Sequence, residues 1–309
     1  MGICFAFEEE SSNFVAKIFI AMRILVTGSD GQLGQSIRTA VKDSENEYIF
    51  YDVDDLDITD PEAVSLGVKC NNFDVIVNCA AFTDVERAED QEAIAAKVNG
   101  NAVAYLAQAA KDNDVTLIHI STDYVYDGNG NTPLSEDARI APCNAYGRTK
   151  LLGEQAIADS GCRALIFRTA WLYSEYGHNF VKTMKRLSAE RRNLSVVFDQ
   201  TGTPTYARDL AEAIVTIIDR KLFEGREGTY NYSNEGVCSW FDLASLTAHL
   251  AGNDGCDIAP CRTVDYPTKA IRPVYTVLDK SKFKNTFGLS IPYWTDSLRK
   301  CIDRQKNEN

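Results

Sequence analysis

Basic residues are in short supply. Lysine and arginine number 32 against 44 aspartates and glutamates, a formal charge of −12 over 309 residues. Such a surface repels phosphate backbones, so nucleic acids and anionic membranes are excluded as partners. A small anionic ligand is still allowed, because helix N-termini and a few local cations outweigh a distant negative field. Histidine is scarcer still. His119, His178 and His249 show no metal-ligand spacing and read as core or surface residues. The nine cysteines are odd in number and include no CxxC; Cys256 and Cys261 lack a companion pair. Reduced thiols in a cytoplasmic protein are expected. No long apolar run occurs. Near the N-terminus, "FVAKIFIA" is too short to span a bilayer, and Glu8, Glu9 and Glu10 break any secretory signal. Residues 1–21 are expected to be an extension outside the fold, with Met22 as the natural start.

What the chain does have is alternation. "RILVTG", "EYIFYDV", "FDVIVNCAAFT", "TLIHISTDYVYDG" and "RALIFRTAWLY" are apolar runs, and segments of helical spacing separate them, including the Ala-rich "AAKVNGNAVAYLAQAAKDND". Strands alternating with helices predict an α/β protein with a parallel sheet covered on both faces. Right-handed crossovers make it a Rossmann-type doubly wound sheet. From about residue 171 the alternation fails, and most prolines lie beyond residue 200. Residues 22–170 therefore read as a dinucleotide-binding domain. Residues 171–309 read mainly as a smaller substrate-binding lobe that returns some elements to the sheet.

"TGSDGQLGQ" sets Gly28, Gly31 and Gly34 three apart between a strand and a helix. Glycines there permit a tight turn and close approach to a pyrophosphate. Asp52 ends the next strand, where a carboxylate can accept hydrogen bonds from adenosine ribose hydroxyls. Ala80 and Ala81 follow a strand end and would admit a flat cofactor. "HISTDYVYDG" leaves another strand end, with Thr122 and Asp123 facing the crevice where open α/β sheets bind ligands. In "NAYGRTKLLGE", Tyr146 and Lys150 lie one helical turn apart on one face. A fixed cation beside a phenol lowers its pKa by roughly 1–3 units and makes a poised proton donor.

Together these motifs resemble the extended short-chain dehydrogenases/reductases: TGxxGxxG after the first strand, Asn-Cys-Ala-Ala after the fourth, Ser-Thr-Asp after the fifth, then YxxxK. The wording of "NCAAFTDVERAE", "STDYVYDG", "FRTAWLYSEYGHNFVKTM", "VVFDQTGTPTYARDLA", "CSWFDLA" and "RPVYTVLDKSKFKNTFGL" is similar to that of the dTDP-4-dehydrorhamnose reductase family, from about Arg23 to Ile302. The resemblance implies reduction of the C4 ketone of dTDP-4-dehydro-L-rhamnose to dTDP-L-rhamnose by NADPH or NADH. Tyr146 would give the proton, Lys150 would hold the nicotinamide ribose, and the Thr122 hydroxyl would bond the ketone oxygen. Gly31, Gln32 and Leu33 would surround the pyrophosphate. Asp52, Asp57 and Ile58 would border the adenosine, and Ala81, Phe82 and Thr83 would line the cofactor further along. Asp123 and Trp171 would touch the nucleotide sugar. Asn179, at a helix start, is a candidate for its pyrophosphate, with Lys182, Arg208 and Arg272 as candidate cations.

The same resemblance admits a homodimer and a Mg²⁺ ion at a subunit contact, although no ligands for it stand out. Two rivals share much of the pattern. Sugar-nucleotide epimerases and dehydratases retain NAD and return the hydride. A reductase-like regulatory subunit of methionine adenosyltransferase keeps the fold without the reaction. The "RTAWLY" and "DQTGTPT" segments favour the reductase. Asp52 leans towards an unphosphorylated ribose, but the expectation extends only to NAD(P)H.

Overall fold

The computed structural model describes residues 21–307. The expectation for residues 1–21 thus lies, apart from Ala21, outside the described residues. Five strands and six helices alternate first: β1 Arg23–Thr27, α1 Gln32–Ala40, β2 Glu47–Tyr51, α2 Pro61–Asn71, β3 Val75–Asn78, α3 Val85–Asp90, α4 Glu92–Ala96, α5 Ala102–Asp112, β4 Thr116–Thr122, α6 Ala145–Ser160 and β5 Ala164–Thr169. The sheet order is Gly228–Asn231, β5, β4, β3, β1, β2, with every neighbour parallel. The chain runs outward from β1 to β2, then crosses back so that β3 lies on β1's other side. That reversal opens a crevice at the carboxyl ends of β1 and β3.

Each strand feeds two apolar layers. Ile24 and Val26 point into a core shared with α1 and with α8 (Ala207–Asp219), while Leu25 enters the core formed with α2 and α5. All three are fully buried. Burying such a side chain contributes about 1.5–3 kcal/mol, which is why strands covered on both faces read as continuous apolar runs. Two local expectations change. Asn-Cys-Ala-Ala follows the third strand and Ser-Thr-Asp the fourth, because the chain between β2 and β3 forms only α2, capped by Asp60 with Pro61 at its first position. The Ala-rich segment is not one regular α-helix. A π-helical turn, Lys97–Asn101, separates α4 from α5.

Beyond β5, α7 (Phe180–Glu190), α9 (Trp240–Ala251) and α11 (Trp294–Asn307) gather around Tyr173, Val181, Tyr206, Leu243 and Leu298. The strand Gly228–Asn231, α8 and α10 (Ser281–Phe287) pack instead on the main sheet, where Phe283 and Phe287 meet Phe167.

Candidate active site

A cleft of about 760 Å³ runs along the carboxyl ends of the strands. Of the residues the sequence singles out, it brings together Gly28, Gly31, Gln32, Leu33, Asp52, Asp57, Ile58, Ala81, Thr83, Thr122, Asp123, Tyr146, Lys150, Trp171 and Asn179. Gly34 and Phe82 do not line it.

The first wall is the turn after β1. Gly28 has φ +64°, and a Cβ there would fall 2.6 Å from the Ala80 backbone. Only glycine allows β1 and β3 to present their ends this close. Gly34 lies under the turn: a Cβ there would sit 2.5 Å from the Gly28 carbonyl oxygen. Its part is helix–turn packing. Asp52 accepts a hydrogen bond from the Asp30 N–H at 2.9 Å and so ties the turn to the end of β2. Asp57 accepts from the Thr59 amide and hydroxyl, which hold its carboxyl below the usual range.

The loop after β3 is held from behind. Asn99, fully buried in the π-helical turn, accepts from the Phe82 N–H at 2.8 Å and donates to the Phe82 carbonyl and the Thr149 hydroxyl. A π turn re-aims a side chain that a regular helix would keep elsewhere. Phe82 itself packs with Ala88, Ala95, Ala145 and Tyr146, under the Arg87 guanidinium, and so turns away from the cleft. Sequence reading did not single out Asn99, since a mid-helix Asn carries no signal before the π turn is known.

Helix α6 supplies Tyr146 and Lys150. Asn144 caps it, accepting from the Gly147 N–H at 2.8 Å, and Glu89 accepts from the Ala145 N–H. A Cβ on Gly147 would lie 2.2 Å from the Tyr124 carbonyl oxygen. Glycine at that position lets the first turn of α6 press onto the segment carrying Thr122 and Asp123. Tyr146 lies edge-on to Tyr124, with ring centroids 5.9 Å apart.

The electrostatics differ from the expected depressed phenol. Burial pushes Tyr146 up to about 12; Thr122 hydrogen bonding favours the ionised form and Asp123 opposes it. Lys150 is 1% exposed, donates to the Ile120 carbonyl at 2.6 Å, and lies 3.4 Å from His119 Nε2. Burial pulls its ammonium down to about 8, against the pull of Glu154 and Cys79. Its nitrogen is thus tied to β4 while the side chain lines the cleft. Asp123 is buried and pushed up to about 7 by desolvation, against the Thr276 and Thr122 hydroxyls, and its Oδ2 has no hydrogen-bond partner.

The far wall belongs to the second lobe. Trp171, at φ +47°, stacks on Trp240 with centroids 3.6 Å apart and planes 13° from parallel. Trp240 opens α9 behind a Ser239–Asp242 capping box and donates to Gln200. Trp240 lies in "CSWFDLA", where no local pattern marks it as part of the site. Asn179 caps α7 and donates to Gln32 Oε1 at 2.9 Å, as does the Ser174 hydroxyl at 3.0 Å. Its side chain joins the glycine turn to the second lobe and is already engaged. Among the candidate cations, Arg272 lines the cleft, paired with Glu86. Lys182 and Arg208 do not line it: they bond the Glu175 carbonyl and Glu212. Among the described residues, no group of three or more His, Cys, Asp or Glu could hold a metal ion.

A parallel sheet with a glycine turn at its crossover, and a Thr, Tyr and Lys converging on the same crevice, define an extended short-chain dehydrogenase/reductase. Within that class, a family model described as the RmlD substrate binding domain matches residues 22–307, and the chain belongs to that family. It is 38% identical over 281 residues to the dTDP-4-keto-6-deoxy-D-glucose reductase of Streptomyces niveus, covering 91% of this chain and 96% of that one. Among solved structures, the dTDP-4-dehydrorhamnose reductase of Clostridium acetobutylicum superposes with a TM-score of 0.88 at 40% identity, covering 92% of this chain and all (100%) of the other. The dTDP-4-dehydrorhamnose reductase of Bacillus anthracis, solved in complex with NADP, gives 0.86 at 34% identity, with coverage of 92% and 100%.

Proposed function

We propose that this chain reduces the C4 ketone of dTDP-4-dehydro-L-rhamnose to dTDP-L-rhamnose with NADPH or NADH. The observation that carries the proposal is the convergence of Thr122, Tyr146 and Lys150 on a cleft that begins at the glycine turn. The glycine turn, packed against Ala80 with no room for a Cβ at Gly28, lines the cleft with backbone at the start of α1, which fits a dinucleotide pyrophosphate. When bound, the nicotinamide supplies the hydride. Gly31, Gln32 and Leu33 would hold the pyrophosphate, Asp52, Asp57 and Ile58 the adenosine side, and Ala81 and Thr83 the stretch between. Lys150 would bind the nicotinamide ribose.

The chain's own residues manage the charge that grows on the ketone oxygen. Tyr146 delivers a proton to that oxygen, and the Thr122 hydroxyl donates a hydrogen bond to it. A phenol at about 12 stays protonated until that charge appears. Asp123, whose carboxyl burial holds well above the usual range, would contact the sugar, and Trp171 would offer a flat face to the sugar or base. Arg272 is the cation placed to meet a phosphate. The proposal includes a homodimer and a cytoplasmic location. Among the described residues, no helix is long and apolar enough to cross a membrane.

The test is nicotinamide oxidation by the purified chain with dTDP-4-dehydro-L-rhamnose, using each cofactor. Stoichiometric loss of reduced cofactor supports the proposal. The Streptomyces niveus relative favours a second substrate, dTDP-4-keto-6-deoxy-D-glucose, and a higher kcat/KM on it would replace the first. Turnover without added cofactor would point to an epimerase or dehydratase. Capture of methionine adenosyltransferase with no reduction of either sugar would point to the regulatory reading.

A further inference from the structure

Behind Lys150 lies a buried polar chain that the reductase reading leaves unused. Asn78, at the end of β3, accepts through Oδ1 from the Ala80 N–H at 3.1 Å and from the Thr27 hydroxyl at 2.8 Å. A backbone N–H can only donate, so this side of the amide is oxygen. The amide nitrogen then points at His119 Nδ1, 3.1 Å away. An amide NH₂ also only donates, so Nδ1 must offer its lone pair. His119 is fully buried in β4, and burial, with Lys150 nearby, holds it neutral. A neutral imidazole with a bare Nδ1 carries its proton on Nε2. That N–H faces the Lys150 nitrogen at 3.4 Å. An ammonium has no lone pair, so the contact is favourable only to the neutral amine. The Ile120 carbonyl, at 2.6 Å, accepts from either form.

We propose that His119 is a positioning residue, locked by Asn78 as an Nε2–H donor, that stabilises the neutral amine of Lys150 and so makes Lys150 a proton source for Tyr146. The proposal rests on the reductase reading for its place in the reaction. As the ketone oxygen gains its O–H bond, the Tyr146 O–H bond breaks and phenolate remains. An Nζ–H bond of Lys150 then breaks, and the proton passes to the phenolate across the cleft that both residues line. The lone pair left on Nζ accepts from His119 Nε2–H, and a proton from water restores the ammonium. The titratable groups around Lys150 are Cys79 just past β3, His119 on β4 and Glu154 on its own helix, with Glu154 paired to Arg168; Tyr146, one turn earlier on that helix, lines the same cleft. The Cys79 thiol is pushed up to about 12 by burial and stays neutral.

The experiment is NMR on the full ¹⁵N-labelled chain without substrate. Only three histidines need assigning, through His178→Gln and His249→Gln. The expected spectrum has His119 neutral, with a bare Nδ1 and a protonated Nε2. A proton on Nδ1 overturns the proposal outright. Lys150 is then titrated through its side-chain shifts in three variants. His119→Phe removes the donor and should raise the Lys150 titration by about one pH unit, a tenfold change in proton affinity. Asn78→Asp accepts from Nδ1–H, reverses the tautomer and should raise it at least as far. His119→Gln restores an N–H donor and should titrate near the wild type. A Lys150 midpoint unchanged in His119→Phe and Asn78→Asp overturns the proposal. Should the variants misfold, the wild-type spectrum alone still decides the tautomer. Failure of the reductase assay with the expected spectrum would sink the reaction reading while leaving the His119–Lys150 contact intact.

Discussion

Tyr146 and Asp123 are both shifted by burial, and each shift has a sign that experiment can read. The Asp123 pKa rises from 3.8 to about 7. The folded chain therefore binds that proton more tightly than the unfolded chain. The stability this contributes is complete below the unfolded value and is lost as pH rises through about 7. Urea unfolding of Asp123→Asn across that window should show a flatter pH dependence than the wild type. Lys150 runs the other way. Its folded pKa falls from 10.5 to about 8, so its contribution is complete above 10.5 and is lost as pH falls through about 8. Lys150→Met should remove that slope in the same measurement. The Tyr–Lys pair and the Ser-Thr-Asp triplet were legible in the sequence because their spacing is local. The direction of the phenol shift was not: burial of Tyr146, which local spacing does not reveal, dominates it.

At the scale of elements, α6 is the piece whose placement the chemistry depends on. Gly147→Ala would set a Cβ against the Tyr124 carbonyl. Overpacking of this kind costs about 1–3 kcal/mol, and the variant should lose both stability and kcat, read by urea unfolding and steady-state assay. Behind the same helix, Glu154 and Arg168 pair at 2.6 Å, each side chain 7% exposed, and Arg168 also donates to Tyr126. Arg168→Met alone leaves a buried carboxylate unpaired and should cost about 3–5 kcal/mol. Adding Glu154→Leu should recover part of it, which a denaturant series on both variants would check. The glycine turn and the alternation of strands were readable because periodicity and turn chemistry are written in neighbouring residues. The π-helical turn was not, because the hydrogen bonds it makes possible join Asn99 to Phe82, 17 positions away, and propensity describes only the helix itself.

For the whole molecule, the doubly wound sheet followed from the apolar runs, and the site followed from the strand ends. The second lobe was less legible. Its residues meet across long sequence separations, as where Asn179 donates to Gln32, 147 positions away, and as in the Trp171–Trp240 stack. Binding of NADPH to the folded state alone should stabilise the chain by about 2.7 kcal/mol at a hundred times Kd, measurable as a shift in the urea midpoint. The most direct test of the central claim, that Tyr146 gives the proton to a keto-sugar in this cleft, compares wild type with Tyr146→Phe. The measurement is single-turnover oxidation of bound NADPH by dTDP-4-dehydro-L-rhamnose, with NADPH affinity determined alongside. The account predicts an unchanged affinity and a rate lower by about 10²–10⁴; a Phe variant that oxidises NADPH as fast as the wild type would contradict it.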